Sequence, residues 1–262
     1  MEDKTKEKNL DKIGTRKGGE GGMEGLHTAL KDMMMRAYEL QQICDGILKS
    51  CCGKEDLAFP IDIKKIAQAR GIELAYENLN FGGAEEIDLN IAQLRYDLSR
   101  EGKVVRKIYV DNSQNESYLG ETSESYSNLQ KYAIAYELGK TIVKEESDQE
   151  IANMTRGEMR RRNMESVPYS LPKLYARQEN FEYEMCAIFL LLPLELFFEE
   201  FYLYLNFRTI SPVYMERWIK HLSEKTEIPN YQLINGYQYI KFCACQYYQE
   251  KNGRIDYWEL YQ

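Results

Sequence analysis

Between Thr28 and Lys49 the apolar residues Leu30, Met33, Met34, Ala37, Leu40, Cys44, Ile47 and Leu48 recur at helical spacing and predict one amphipathic helix. Pro60 is suited to open a second helix, with Ile63, Ile66 and Ala67 turned inward and Gly71 as its cap, before a strand over Ile72–Tyr76. Two strand-like runs, Leu89–Tyr96 and Val104–Val110, flank the turn-rich Ser99–Lys103 and predict an antiparallel hairpin. A polar stretch from Asn112 ends at a serine, Ser127, able to cap a helix over 128–143. The longest apolar run, Cys186–Phe198, contains Glu195 and is broken by Pro193, so it predicts buried core rather than a bilayer span. Beyond it the pattern is helical, over Leu194–Leu205 and, after Ser211-Pro212, over Tyr214–Lys225.

Composition narrows this picture. Residues 1–27 combine charge with many glycines and read as a flexible tail, since such a composition buries too little apolar surface to order itself. In the other 235 of the 262 residues, and with 44% of the whole chain hydrophobic, there is enough apolar surface for a substantial core. A net charge of -8 is the wrong sign for a broadly basic nucleic-acid surface. The one basic concentration, Arg156 with Arg160, Arg161 and Arg162, follows an acidic run from Glu145 to Glu150 and reads as a solvated face that offsets it. Cys51-Cys52 and Cys243-Ala244-Cys245 lack a second pair at zinc-ribbon spacing, and Met1–Lys17 has no apolar core of a signal peptide. The six cysteines are therefore expected as free, mostly buried thiols in a reducing, cytoplasmic protein.

The chemically informative segment is Tyr136-Glu137-Leu138-Gly139-Lys140. In an HExxH helix two histidines four residues apart bind zinc from one face, and the glutamate between them is general base toward the metal-bound water. Here the glutamate stands alone. Tyr136 and Lys140 share a face at i and i+4, but a neutral phenol and an ammonium are poor metal ligands, since the ammonium has no lone pair. The only histidines, His27 and His221, lie far from this helix in sequence.

The run Lys131–Val143, with its Ala-x-Glu-Leu-Gly, resembles the RFTIAHELGHYLL helix of the ImmA/IrrE metallopeptidase family. A second block, Glu182-Tyr183-Glu184-Met185-Cys186-Ala187 through Leu192-Pro193, resembles the end of that family's E.EAN.FAa.LLMP helix. Weaker likenesses are Pro60–Ala67 with Gly71–Leu74, the strand Arg106–Asp111, and a helix–turn–helix-like stretch over Leu222–Ile234 that lacks the family's arginine.

This resemblance implies an α+β fold: a zincin-like core over 28–205, mostly helical with a small antiparallel or mixed sheet, and a helical C-terminal extension over 206–262. It puts Tyr136 and Lys140 at former metal-ligand positions, Glu137 at the vestigial general-base position, and Glu182, or Glu184, at the third-ligand position. The strand Arg106–Asp111 is expected at the sheet edge bordering the cleft, and Lys140 as the partner of the third-ligand acid. Members of the family cleave helix–turn–helix repressors of mobile elements and stress responses. This chain is accordingly expected to bind such a protein partner without a metal cofactor and without cleaving it. Two alternatives stand beside that: a zinc endopeptidase using Glu137, Glu182 and a cysteine, and a DNA-binding regulator using the C-terminal helices.

Overall fold

A computed structural model describes residues 20–53, 57–80, 89–113, 125–171, 178–201 and 212–252. Helix α1 (Glu20–Cys52) is followed by α2 (Ile63–Ala69) and β1 (Ile72–Glu77), then by the hairpin β2 (Leu89–Leu98) and β3 (Val104–Asp111). Next come α3 (Tyr126–Val143), α4 (Asp148–Ala152), α5 (Arg156–Glu165) and β4 (Tyr169–Leu171). Helices α6 (Gln178–Leu191), α7 (Leu194–Phe201), α8 (Pro212–Thr226) and α9 (Asn230–Asn252) complete an α+β architecture with one mixed sheet. No helix among the described residues is long and apolar enough to cross a membrane.

The first helix begins inside the expected tail, at Glu20, while residues 1–19 lie outside the described part of the chain. Once the Met34–Leu48 face is docked, each further residue adds a hydrogen bond without a new nucleation cost. The second helix starts three residues beyond Pro60: Asp62 is its N-cap and accepts from the Lys64 and Lys65 amides at 3.1 and 3.3 Å. Gly71 does end this unit, at φ +67°, a conformation available to glycine without strain. The central helix starts at Tyr126 instead of after Ser127, because the Tyr126 hydroxyl is anchored to Asp111 at the end of β3 and Ser125 takes the N-cap position.

Sheet order β1-β3-β2-β4 puts β3 in the interior, which corrects the expectation that Arg106–Asp111 forms an edge. It pairs in parallel with β1, Leu74 opposite Ile108, and antiparallel with β2, where Leu94 is opposite the same Ile108. A helix-to-strand unit that delivers β1 beside β3 leaves the hairpin's other strand, β2, facing the outer side. There β4 covers only the first part of β2, with Leu89 opposite Leu171 and Ala92 opposite Tyr169 and a shift of register between them.

Helix α3 lies between the sheet and α6, and every residue from Tyr132 to Ile142 is buried. That explains why its sequence shows no polar stripe. The closest approach is at Gly139, where an added Cβ would come within 2.9 Å of Cys186 Cβ and of the Tyr183 carbonyl oxygen. Helix α9 packs against α1, α6, α7 and α8, so that Leu233, Ile240 and Phe242 join the same core as α3.

Gly139→Ala is expected to destabilise the protein by about 1–3 kcal/mol or more, because backbone and Cβ must move apart. At Gly236 the added methyl would meet the rotatable end of Ile188, so Gly236→Ala should cost less; chemical denaturation of both variants checks the order. A second expectation concerns Asp45 in α1. Burial pushes its carboxyl up to about 6, Lys49 and the Gln41 amide at 2.6 Å oppose this, Glu195 of α7 adds to it, and the Cys243 thiol of α9 lies close enough to feel its charge. A folded-state value above the unfolded one means that the native state is favoured below pH ~4 and loses that contribution as pH rises through about 6. Asp45→Asn should therefore exceed the native chain in stability at pH 7.5, by at most about 3 kcal/mol, and not at pH 4.

Candidate functional site

Glu137 is wholly buried in the middle of α3, and each carboxylate oxygen is taken up by backbone from a different strand. The Leu94 amide of β2 donates to Oε2 at 2.8 Å, and the Tyr169 amide of β4 donates to Oε1 at 3.0 Å. Lys140, one turn on and 6% exposed, brings its ammonium to 2.7 Å from the same carboxylate. Its Nζ also donates to the Val167 carbonyl at 2.6 Å. One carboxylate and one ammonium thus tie α3 to β2, to β4 and to the residues leading into β4. Charge-assisted bonds of this kind are roughly twice as strong as neutral ones in a site sheltered from water.

Aromatic rings wall this pair. Tyr136 makes edge contacts with Tyr169 and Tyr183, the ring centroids 5.0 and 5.7 Å apart, and the Lys140 ammonium lies 5.3 Å from the Tyr136 ring centroid. Tyr132 packs edge-on to Tyr169, whose hydroxyl accepts from the Gln232 amide of α9 at 2.7 Å. Burial, with the charges of Glu137 and Glu184 behind it, pushes the Tyr136 phenol far above its ordinary range, so it stays protonated at any physiological pH.

The two acids expected at the third-ligand position differ in where they face. Glu182 is bound by Arg36 of α1 at 2.7 Å. Glu184 instead acts through its charge on Tyr132, Tyr136 and Tyr239, raising each phenol. The expected partnership of Lys140 with either acid is replaced by its pair with Glu137. A spacing of three along one helix already brings that carboxylate into reach, whereas Glu182 is claimed by α1.

Does this donor set suit zinc? A ligand must present a free lone pair, and a histidine-like geometry needs open space beside it. Lys140 as ammonium has none, the Tyr136 phenol holds its proton, and Glu137 accepts from two amides and an ammonium. The residues at these positions do not fit the metal. Among the described residues no group of three or more His, Cys, Asp or Glu side chains is arranged to hold a metal ion. Cys186, the α6 cysteine nearest Glu182 in sequence, is buried, and its carbonyl lies 3.8 Å from the Cys44 thiol.

Tyr169, Val167 and Leu94 carry the site as much as the motif residues do, and the motif gave no sign of them. Two of the three act through backbone groups and Tyr169 through its amide as well as its ring. The available signal was the short β-prone run around Pro168, just after the polar helix α5. The basic segment Arg156–Arg162 falls on α5, which exposes Arg156, Arg160 and Arg161, turns the half-buried Arg162 to Glu146 and buries no residue.

No protein-family model, curated protein or solved structure matches the chain.

Lys140→Ala leaves a buried carboxylate without its counter-charge and should cost about 3–5 kcal/mol. Replacing both members, Glu137→Gln with Lys140→Met, should cost less than the sum of the two single changes. A double-mutant cycle by urea denaturation measures the coupling, and additive losses would remove the pair from its central place.

Proposed function

We propose that this chain is a non-catalytic relative of ImmA/IrrE-type zinc endopeptidases, built on a zincin-like core, that works in the cytoplasm by binding a protein partner. The partner class is a transcriptional repressor of the kind those enzymes cleave, held without being cut. One observation carries the reading: the Lys140 ammonium is bonded to the Glu137 carboxylate at the helix position where such an enzyme holds its metal. A fixed cation takes the place of a dissociable one. With its acceptor capacity committed to Leu94, Tyr169 and Lys140, Glu137 is left holding strands instead of receiving a proton from water.

The rest of the site supports binding over chemistry. Tyr132, Tyr136, Tyr169 and Tyr183 supply packed rings where a hydrolytic cleft would need room for a water and a scissile bond. The acidic overall charge, -8, suits a protein partner with basic segments, as DNA-binding repressors have, better than it suits DNA itself.

Elemental analysis of protein purified without a metal-binding tag should find zinc far below one atom per chain. A repressor captured by crosslinking and then reconstituted from purified components should stay full length on prolonged incubation with added zinc. One tightly held zinc per chain, lost in Glu137→Gln, together with chelator-sensitive cleavage of the repressor, would overturn the proposal.

A further inference from the structure

The outward edge of β2 is satisfied in an unusual way. Beyond Ala92, where β4 stops pairing, the outward backbone groups of Leu94 and Tyr96 pair with no strand among the described residues; each is bonded by a side chain. The Leu94 amide goes to Glu137, and the Leu94 carbonyl accepts from the Ser166 hydroxyl at 2.7 Å. The Tyr96 amide and carbonyl are both taken by the Asn163 side chain, at 2.7 and 2.8 Å, an amide imitating the peptide unit of a neighbouring strand. Gln93 adds a bond to the Ser166 carbonyl at 2.6 Å, and Arg162 and the Tyr96 hydroxyl both donate to Glu146.

The segment making these bonds is attached by little else. Helix α5 buries no residue, its N-terminus is self-capped by the Thr155–Glu158 box, and at its end Met164 and Val167 are 88% and 72% exposed. Polar contacts to a strand edge, with the Arg162 guanidinium over the Tyr96 ring at 5.6 Å and Tyr96 itself outside the main core cluster, describe an element that can leave without disturbing that core. Its far end is different: the Tyr169 amide, where β4 begins, is held by Glu137 and fixes the chain there, while the Val167 carbonyl on Lys140 is the one bond from the strap to α3.

We propose that residues 156–167 are an autoinhibitory strap: they close the edge of β2 at the Leu94 carbonyl and at Tyr96 by side-chain imitation of a strand, and they come off as one unit to bare it, the Leu94 amide staying on Glu137. Val167 and Pro168 are the hinge, since β4 stays paired while Lys140 loses its Val167 acceptor. A segment entering in place of the strap must then offer an acceptor to the Lys140 ammonium, a backbone carbonyl or an acidic side chain. This rests on the reading that the molecule binds a protein, and it assigns the state in which the edge is closed.

Amide hydrogen exchange on the full chain, resolved by residue, tests the strap directly. The Tyr96 amide and the α5 amides should exchange together, on the order of 100-fold or more faster than those of Ala133–Leu138 in α3. Asn163→Ala with Ser166→Ala, both on partly exposed side chains, should speed Tyr96 exchange at least ~10-fold and leave α3 exchange unchanged. The same double variant should bind a fluorescent, strand-forming peptide of alternating threonine, valine and glutamate at least ~10-fold tighter than the native chain. Exchange of Tyr96 and α5 only together with α3, or equal peptide affinity in the two proteins, would overturn the strap. Zinc in the purified protein would instead overturn the non-catalytic reading and leave the exchange pattern untouched, so the two failures are distinguishable.

Discussion

A buried carboxylate can be tolerated only where every oxygen is bonded and its charge is balanced. Glu137 meets both conditions by drawing the Leu94 amide from β2, the Tyr169 amide from β4 and the ammonium of Lys140 onto one point of α3. The rest of the arrangement follows. β2 is held against the helix by its edge, β4 is stitched in beside it although it is only three residues long, and the Val167 carbonyl completes the coordination of Lys140. Gly139, between the two charged residues, lets α6 approach α3 closely at Cys186 and Tyr183.

Such a pair resembles a structural metal in what it connects and differs in what it can do. A metal ion polarises water and leaves a coordination position open, whereas an ammonium spends its hydrogen bonds on acceptors and activates nothing. On the proposed reading, substitution at two ligand positions converted a reactive centre into a fastening. Tyrosine rings fill the remaining space through edge contacts. Why Arg36 rather than Lys140 takes Glu182 has the same logic: α1 covers this side of α6 and supplies a longer, forked donor at 2.7 Å.

Much of the helical framework was legible in the residues. The α1 segment was evident because its apolar residues recur at helical spacing, and the β2–β3 hairpin because alternation and turn residues agree. The interior position of β3 was not legible, since period-two patterning does not say whether a third strand adds in parallel on the far side. The start of α3 was displaced by the Tyr126–Asp111 contact, a tertiary bond that overrides capping preference. At the site, the sequence pointed Lys140 to the third-ligand acid and not to Glu137, and the backbone groups that complete the pair could not be read, because Leu94, Val167 and Tyr169 contribute there through atoms that every residue has.

The most direct test of the Glu137–Lys140 fastening is a crystal structure grown with zinc in excess, with data at the zinc absorption edge. The account predicts Lys140 Nζ within hydrogen-bond distance of Glu137 and the Val167 carbonyl, and no anomalous peak beside α3. An anomalous peak ligated by Glu137, with Lys140 turned out of the site, would contradict it.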